Sequence, residues 1–176
     1  MVETEESKVN WAGKKPLIDG YVNKGFLAVS DGQIEITGEE VSGNFTIDMN
    51  TLSVSDTPTK PGRESALEGH LKGEGWFNVG QFPEASFVIT QAEMSNSGGN
   101  YLVTGDLTMK GVTNEISFPA SVYLDEAGSL VAEANFEFDR TKWGITSGSG
   151  SIFDNLADNV IDDMVALSFV LVANKQ

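Results

Sequence analysis

A chain of 176 residues with 40% hydrophobic and 21% charged side chains can bury one sizeable core, so a single domain is expected. Eleven lysines and arginines stand against 26 acidic residues, a formal net charge of -15 that repels polyanions and excludes nucleic acid as a partner class. There is no cysteine to form a disulfide or a thiolate nucleophile, and no run reaches the roughly 20 apolar residues that span a bilayer as a helix.

Met1 to Lys8 lacks the basic and apolar regions of a signal peptide, and residues 1–10 read as a polar, disordered leader ahead of a domain over 11–176. From Trp11 onward, Ser30-Asp31-Gly32 and Glu40 to Gly43 punctuate short alternating runs and are expected to separate successive hairpins. Ile34 and Ile36 share one face, and Phe45, Ile47 and Met49 share another. Pro58 and Pro61 end any strand, because proline cannot donate to the ladder. Between Glu64 and Lys72 the period changes: Leu67, His70 and Leu71 recur at three and four, which predicts a short amphipathic helix. Trp76, Phe77, Phe82 and Phe87 follow within twelve residues and must be buried or used.

Gly105 to Pro119, GDLTMKGVTNEISFP, is the clearest stretch. Tyr101, Val103, Gly105, Leu107 and Met109 alternate with polar neighbours, as do Ile116, Phe118, Ala120 and Val122, and Gly111 can take the positive φ of a tight bend between them. Leu130 to Phe138 and Val165 to Leu171 continue the alternation on either side of a Gly/Ser-rich loop. The sum is an all-β domain of about eight mostly short-connected, antiparallel strands with one inserted helix. Closure into a barrel removes the exposed edges, and an eight-stranded interior either fills with side chains or holds one small ligand.

The hairpin GDLTMKGVTNEISFP resembles the strand-turn-strand signature of the YceI-like family. HLKGEGWFNVGQFPEASF (His70 to Phe87), NFTIDMNTL (Asn44 to Leu52), FDRTKWGI (Phe138 to Ile145) and GSIFDNLADNVIDDMVALSFVLVA near the end resemble further family segments. The resemblance implies a lipocalin-like antiparallel barrel with a hydrophobic tunnel for a polyisoprenoid lipid, the polar head lying near the mouth. It also implies work in the bacterial envelope, hence a periplasmic or secreted protein; a cytoplasmic one is the alternative. Lys110 stands where the signature often has histidine, and Asn23 where many members have histidine.

Inward alternation nominates Phe45, Phe87, Met109, Phe118, Phe136 and Phe169 as tunnel lining, with Trp76 and Trp143 nearer the mouth. For an anionic head the scarce basic residues Arg140, Lys142, His70 and Lys110 are the candidate contacts. Catalysis is not expected: the chain has no Gly-x-Ser-x-Gly elbow, no cysteine and a single histidine. Asp154, Asp158, Asp162 and Asp163 lack the spacing of a calcium loop and read as a solvated rim, so neither metal nor cofactor is expected apart from the lipid. The alternative is a barrel filled by its own side chains that acts as a structural or protein-interaction module. A homodimer is compatible with either reading.

Overall fold

The structure, a computed structural model, describes residues 1–38, 40–96 and 99–174. Eight strands close into one antiparallel barrel: β1 (Lys8–Lys14), β2 (Val22–Thr37), β3 (Glu40–Asp56), β4 (Glu84–Asn96), β5 (Asn100–Met109), β6 (Val112–Leu124), β7 (Leu130–Asp139) and β8 (Met164–Ala173). Each pairs with its sequence neighbour, and β1 closes the ring on β8 through Lys8–Ala12 against Ala166–Val170. The single α-helix among the described residues, α1 (Glu64–Lys72), lies between β3 and β4, on the residues whose period of three and four predicts it. Its outer face carries the Glu68–Lys72 pair at 2.9 Å, and Glu68 also accepts from the Val54 amide, which ties the helix to β3.

The β5–β6 hairpin forms with Met109 opposite Val112, leaving a two-residue loop of Lys110 and Gly111. Both take positive φ, at 53° and 74°, the requirement of a type I′ turn whose twist matches its flanking strands. The strand-ending prolines also act as expected, since β3 stops at Asp56.

Two expectations are corrected. Ser30-Asp31-Gly32 does not turn the chain: it is a bulge inside the 16-residue β2, with Asp31 opposite Thr46 and Gly32 opposite Phe45. Turn-prone residues yield there to the ladder with β3, and Gly32 admits the close approach of Phe45 and Val2, each 3.0 Å from where its Cβ would lie. Likewise, Glu40 to Gly43 belongs to β3. Residues 1–10, expected to be disordered, pack into the barrel. Val2 is buried and bridges Ala173, Glu3 donates to the Val172 carbonyl at 2.7 Å, and β1 begins at Lys8.

The barrel has two unlike ends. One carries the short β2–β3, β4–β5 and β6–β7 connections and the chain termini; the other carries the β1–β2 loop, α1, the β5–β6 turn and the long 140–163 connection. Between them, inward residues of five strands form a phenylalanine cluster. Phe118 stacks on Phe136 at 4.2 Å and meets Phe169 edge-on at 5.7 Å; Phe87 lies 5.4 Å from Phe118, and Phe45 lies 5.5 Å from Phe87. Aromatic contacts of this kind add to the area they bury. Replacing Phe118 by alanine is expected to lower unfolding stability by about 3–5 kcal/mol in urea titration; a loss well under 1 kcal/mol would show that the cluster is not close-packed.

A candidate ligand cavity at one end of the barrel

Above the phenylalanines, toward the α1 end, the interior is open. Ile47 and Met49 continue β3 past Phe45, Ala85 precedes Phe87 on β4, Phe138 follows Phe136 on β7, and Leu167 precedes Phe169 on β8; each lines a cavity of about 290 Å³. The phenylalanine rung lies one level below these residues, and none of its five rings lines the cavity. Leu67, His70 and Leu71 of α1, with Trp76 and Phe77 just after it, cover one side. The wall is predominantly apolar, and its volume falls at the lower edge of the roughly 300–1,000 Å³ common for ligand sites.

Polar groups gather at the mouth. Arg140 ends β7 only 2% exposed, its guanidinium donating to the backbone carbonyls of Asp162 (3.0 Å), Ile145 (2.6 Å) and Ile161 (3.2 Å) and pairing with Asp163 at 3.5 Å. Its charge also lies 5.2 Å from the centre of the Trp76 ring. Burial pulls the Arg140 pKa below its ordinary value, while Asp163, Asp139 and Asp162 push it back up. In this arrangement Arg140 staples the 140–163 connection against the barrel. Lys14 meets Asp162 at 3.3 Å, and Lys15 reaches the Asp158 carbonyl and Asn159 at 3.5 Å while lying over Tyr21.

The eight residues nominated as lipid lining divide. Trp76 and Met109 are in the cavity wall. Phe45, Phe87, Phe118, Phe136 and Phe169 face inward as their alternation predicts, but they pack on one another and none lines the cavity. Trp143 lies behind the wall, 1% exposed, its indole donating to the Leu107 carbonyl at 3.0 Å and meeting Phe138 edge-on. Of the basic candidates, His70 and Arg140 line the cavity. Lys110 instead sits in the β5–β6 turn and reaches the Gly144 carbonyl at 3.4 Å, and Lys142 is exposed. Among the described residues, no group of three or more histidines or carboxylates gathers to hold a metal ion.

The YceI-like domain model matches residues 1–173. The chain belongs to the YceI-like family. BcnA of Burkholderia cenocepacia, a solved structure, superposes with a TM-score of 0.76 at 24% identity over 99% of this chain and 100% of its own. A polyisoprenoid binding domain from Saccharophagus degradans, implicated in plant cell wall breakdown, superposes with a TM-score of 0.70 at 16% identity over 99% of this chain and 97% of its own. At these identities the likeness shows the barrel fold. Among curated relatives, a UPF0312 protein of Photorhabdus laumondii is 30% identical over 95 residues, 49% of this chain and 47% of its own, so the match spans about half the length of that relative.

Sequence reasoning missed Trp11, Asn23, Lys14, Lys15 and Tyr21, all of which line this YceI-like cavity. For two of them a signal was present. Trp11 falls on the inward parity of Val9 and Gly13, and Asn23 is a polar residue on the inward parity of Gly25, Leu27 and Val29.

The Arg140 staple carries a pH dependence. Burial raises the Asp163 pKa, but hydrogen bonds from Ser151 (2.6 Å) and Ser149 and the Arg140 charge outweigh it, leaving the carboxyl below its ordinary value. A depressed folded pKa stabilises fully above the unfolded value of about 3.9 and is lost as pH falls through the folded value. Thermal melts of wild type and Asp163→Asn are therefore expected to differ at pH 7 and to converge below about pH 4; a gap independent of pH would show that the carboxylate charge is not what holds the connection.

Proposed function

We propose that this protein binds the hydrocarbon part of an amphiphilic isoprenoid lipid in the barrel and carries or stores it without catalysis. The observation that carries the reading is the apolar cavity itself, open at one end. Transfer of hydrocarbon from water into such a wall is worth about 0.8 kcal/mol per methylene. A lipid arriving from a bilayer starts in hydrocarbon and gains little of this, so fit to the cavity sets selectivity. The Saccharophagus degradans domain, described as polyisoprenoid binding, supports the same ligand class. Work in the periplasm or outside the cell accords with a carrier of membrane lipid.

A cavity of about 290 Å³ admits only a short chain segment. The phenylalanine rung also favours the second reading, a barrel that is largely self-filled and acts through its surface, because it occupies the interior that a longer tunnel would need.

Native mass spectrometry of detergent-free protein, with and without added farnesol, separates the two readings. A one-to-one complex is expected. Leu67→Arg, which places a charge on the α1 side of the cavity while leaving every strand intact, is expected to weaken uptake at least about tenfold with little change in melting temperature. Wild-type protein that takes up no isoprenoid alcohol would favour the self-filled barrel.

A further inference from the structure

Large apolar side chains stand in solvent on two loops at the α1 end of the barrel. On the 140–163 connection Ile152 is 49% exposed and Phe153 48%, within a run from Ser151 to Asn155 in which every residue is exposed. On the β1–β2 loop Leu17 is 62% exposed. Neither loop is loose at its base. Ser149 is fully buried and bridges Ile161, whose amide donates to the Gly148 carbonyl at 2.8 Å, so residues 150–160 project as one closed loop. The Asp162 amide donates to the Lys14 carbonyl at 2.9 Å, and Lys15 reaches the Asp158 carbonyl, which joins the two loops.

Both loops run directly into the cavity wall. Ile161 and Asp162 follow the first loop, Lys15 and Tyr21 flank Leu17 in the second, and all four line the cavity. The apolar tips are thus continuous with the mouth. Exposure alone does not single them out, since Leu124 is 69% exposed at the opposite end. The charges around them do. Leu124 precedes Asp125 and Glu126, and the same end carries Glu3, Glu5, Glu6, Glu35 and Glu40 on its termini and connections. The mouth end instead carries Lys14, Lys15, Lys110, Arg140 and Lys142.

A bilayer surface fits this division. Apolar loop tips enter the boundary between head groups and acyl chains, while lysine and tyrosine suit head-group level. Lys15 lies 5.3 Å from the centre of the Tyr21 ring beside Leu17. Asp154 and Asp158, exposed on the same loop as Phe153, oppose deeper entry, so the barrel rests on the surface. Its acidic end then faces water. With a net charge of -15, attraction is to the apolar boundary and not to anionic head groups.

We propose that Leu17, Ile152 and Phe153 dock the open end of the barrel on a bilayer surface, with the cavity mouth toward the membrane. The inference rests on the lipid-carrier reading for its purpose: a lipid passing between bilayer and cavity at a docked mouth does not cross bulk water.

Flotation with phosphatidylcholine vesicles tests it, with farnesol uptake measured on the same protein. Wild type is expected to float with the vesicles, and to be held more weakly at low salt when phosphatidylglycerol is added to them. Ile152→Ser combined with Phe153→Ser is expected to lower the partition coefficient at least about tenfold. Farnesol uptake and melting temperature are expected to stay unchanged, because neither side chain belongs to the cavity wall or the core. Leu124→Ser, at the opposite end, is expected to change nothing. Phe153→Trp is expected to keep binding and to add emission that brominated acyl chains quench. Equal loss in Leu124→Ser, or binding that requires phosphatidylglycerol and ignores Ile152 and Phe153, overturns the proposal. So does a wild-type dimer that the double variant dissociates while neither protein binds vesicles, since the tips then meet a second copy. Farnesol uptake by protein that ignores vesicles removes the docking face alone. Vesicle binding that depends on Ile152 and Phe153 supports the docking face even where farnesol is not taken up, and there only the carrier reading falls.

Discussion

The ring closed by β1 against β8 is the constraint on which the rest of the structure depends. Once eight antiparallel strands share one sheet without edges, every second residue must point into an interior of fixed bore. What occupies each inward rung then decides whether that level is core or cavity. At the rung of Phe45, Phe87, Phe136 and Phe169 the rings meet across the bore. One rung nearer α1, the positions of Phe87 and Phe169 give way to Ala85 and Leu167, and the rings no longer bridge the space. Side-chain size at successive rungs thus sets the depth of the cavity.

The open end depends on a second device. The long connection from Arg140 to Asp163 has little regular structure and could not hold a cavity wall alone. Arg140 supplies what regular structure would, distributing its planar set of donors over three backbone carbonyls and one carboxylate. A guanidinium committed in this way is a structural group. Its burial is offset by hydrogen bonds and by the acidic residues around it, which gives the acidic rim a role beyond solvation. On the other side, α1 is held by Glu68 against β3 and by Glu64, whose carboxylate accepts from Thr57 at 2.6 Å.

These features bear directly on function. Arg140 braces the mouth through backbone carbonyls and Asp163 and does not stand free.

Much of this was legible in the sequence. Period-two alternation identified the strands, the shift to three and four at Leu67, His70 and Leu71 located α1 to the residue, and Gly111 marked the tight turn, because these depend on local backbone geometry and burial on one side. Alternation also established that Phe45, Phe87, Phe118, Phe136 and Phe169 face inward. It could not establish at which height along the barrel each one sits, since that depends on strand register and on the stagger of closure, which are properties of all eight strands together. Only the tertiary structure therefore decided that these rings pack on one another and stay out of the cavity wall, that Ser30-Asp31-Gly32 bulges within a strand, and that Val2 pairs with Ala173. The same holds for charge: the sequence by itself determined that cations are few, but only the fold showed Arg140 bound to the backbone of the 140–163 connection, because hydrogen bonds between residues distant in the chain exist only once the ring has closed.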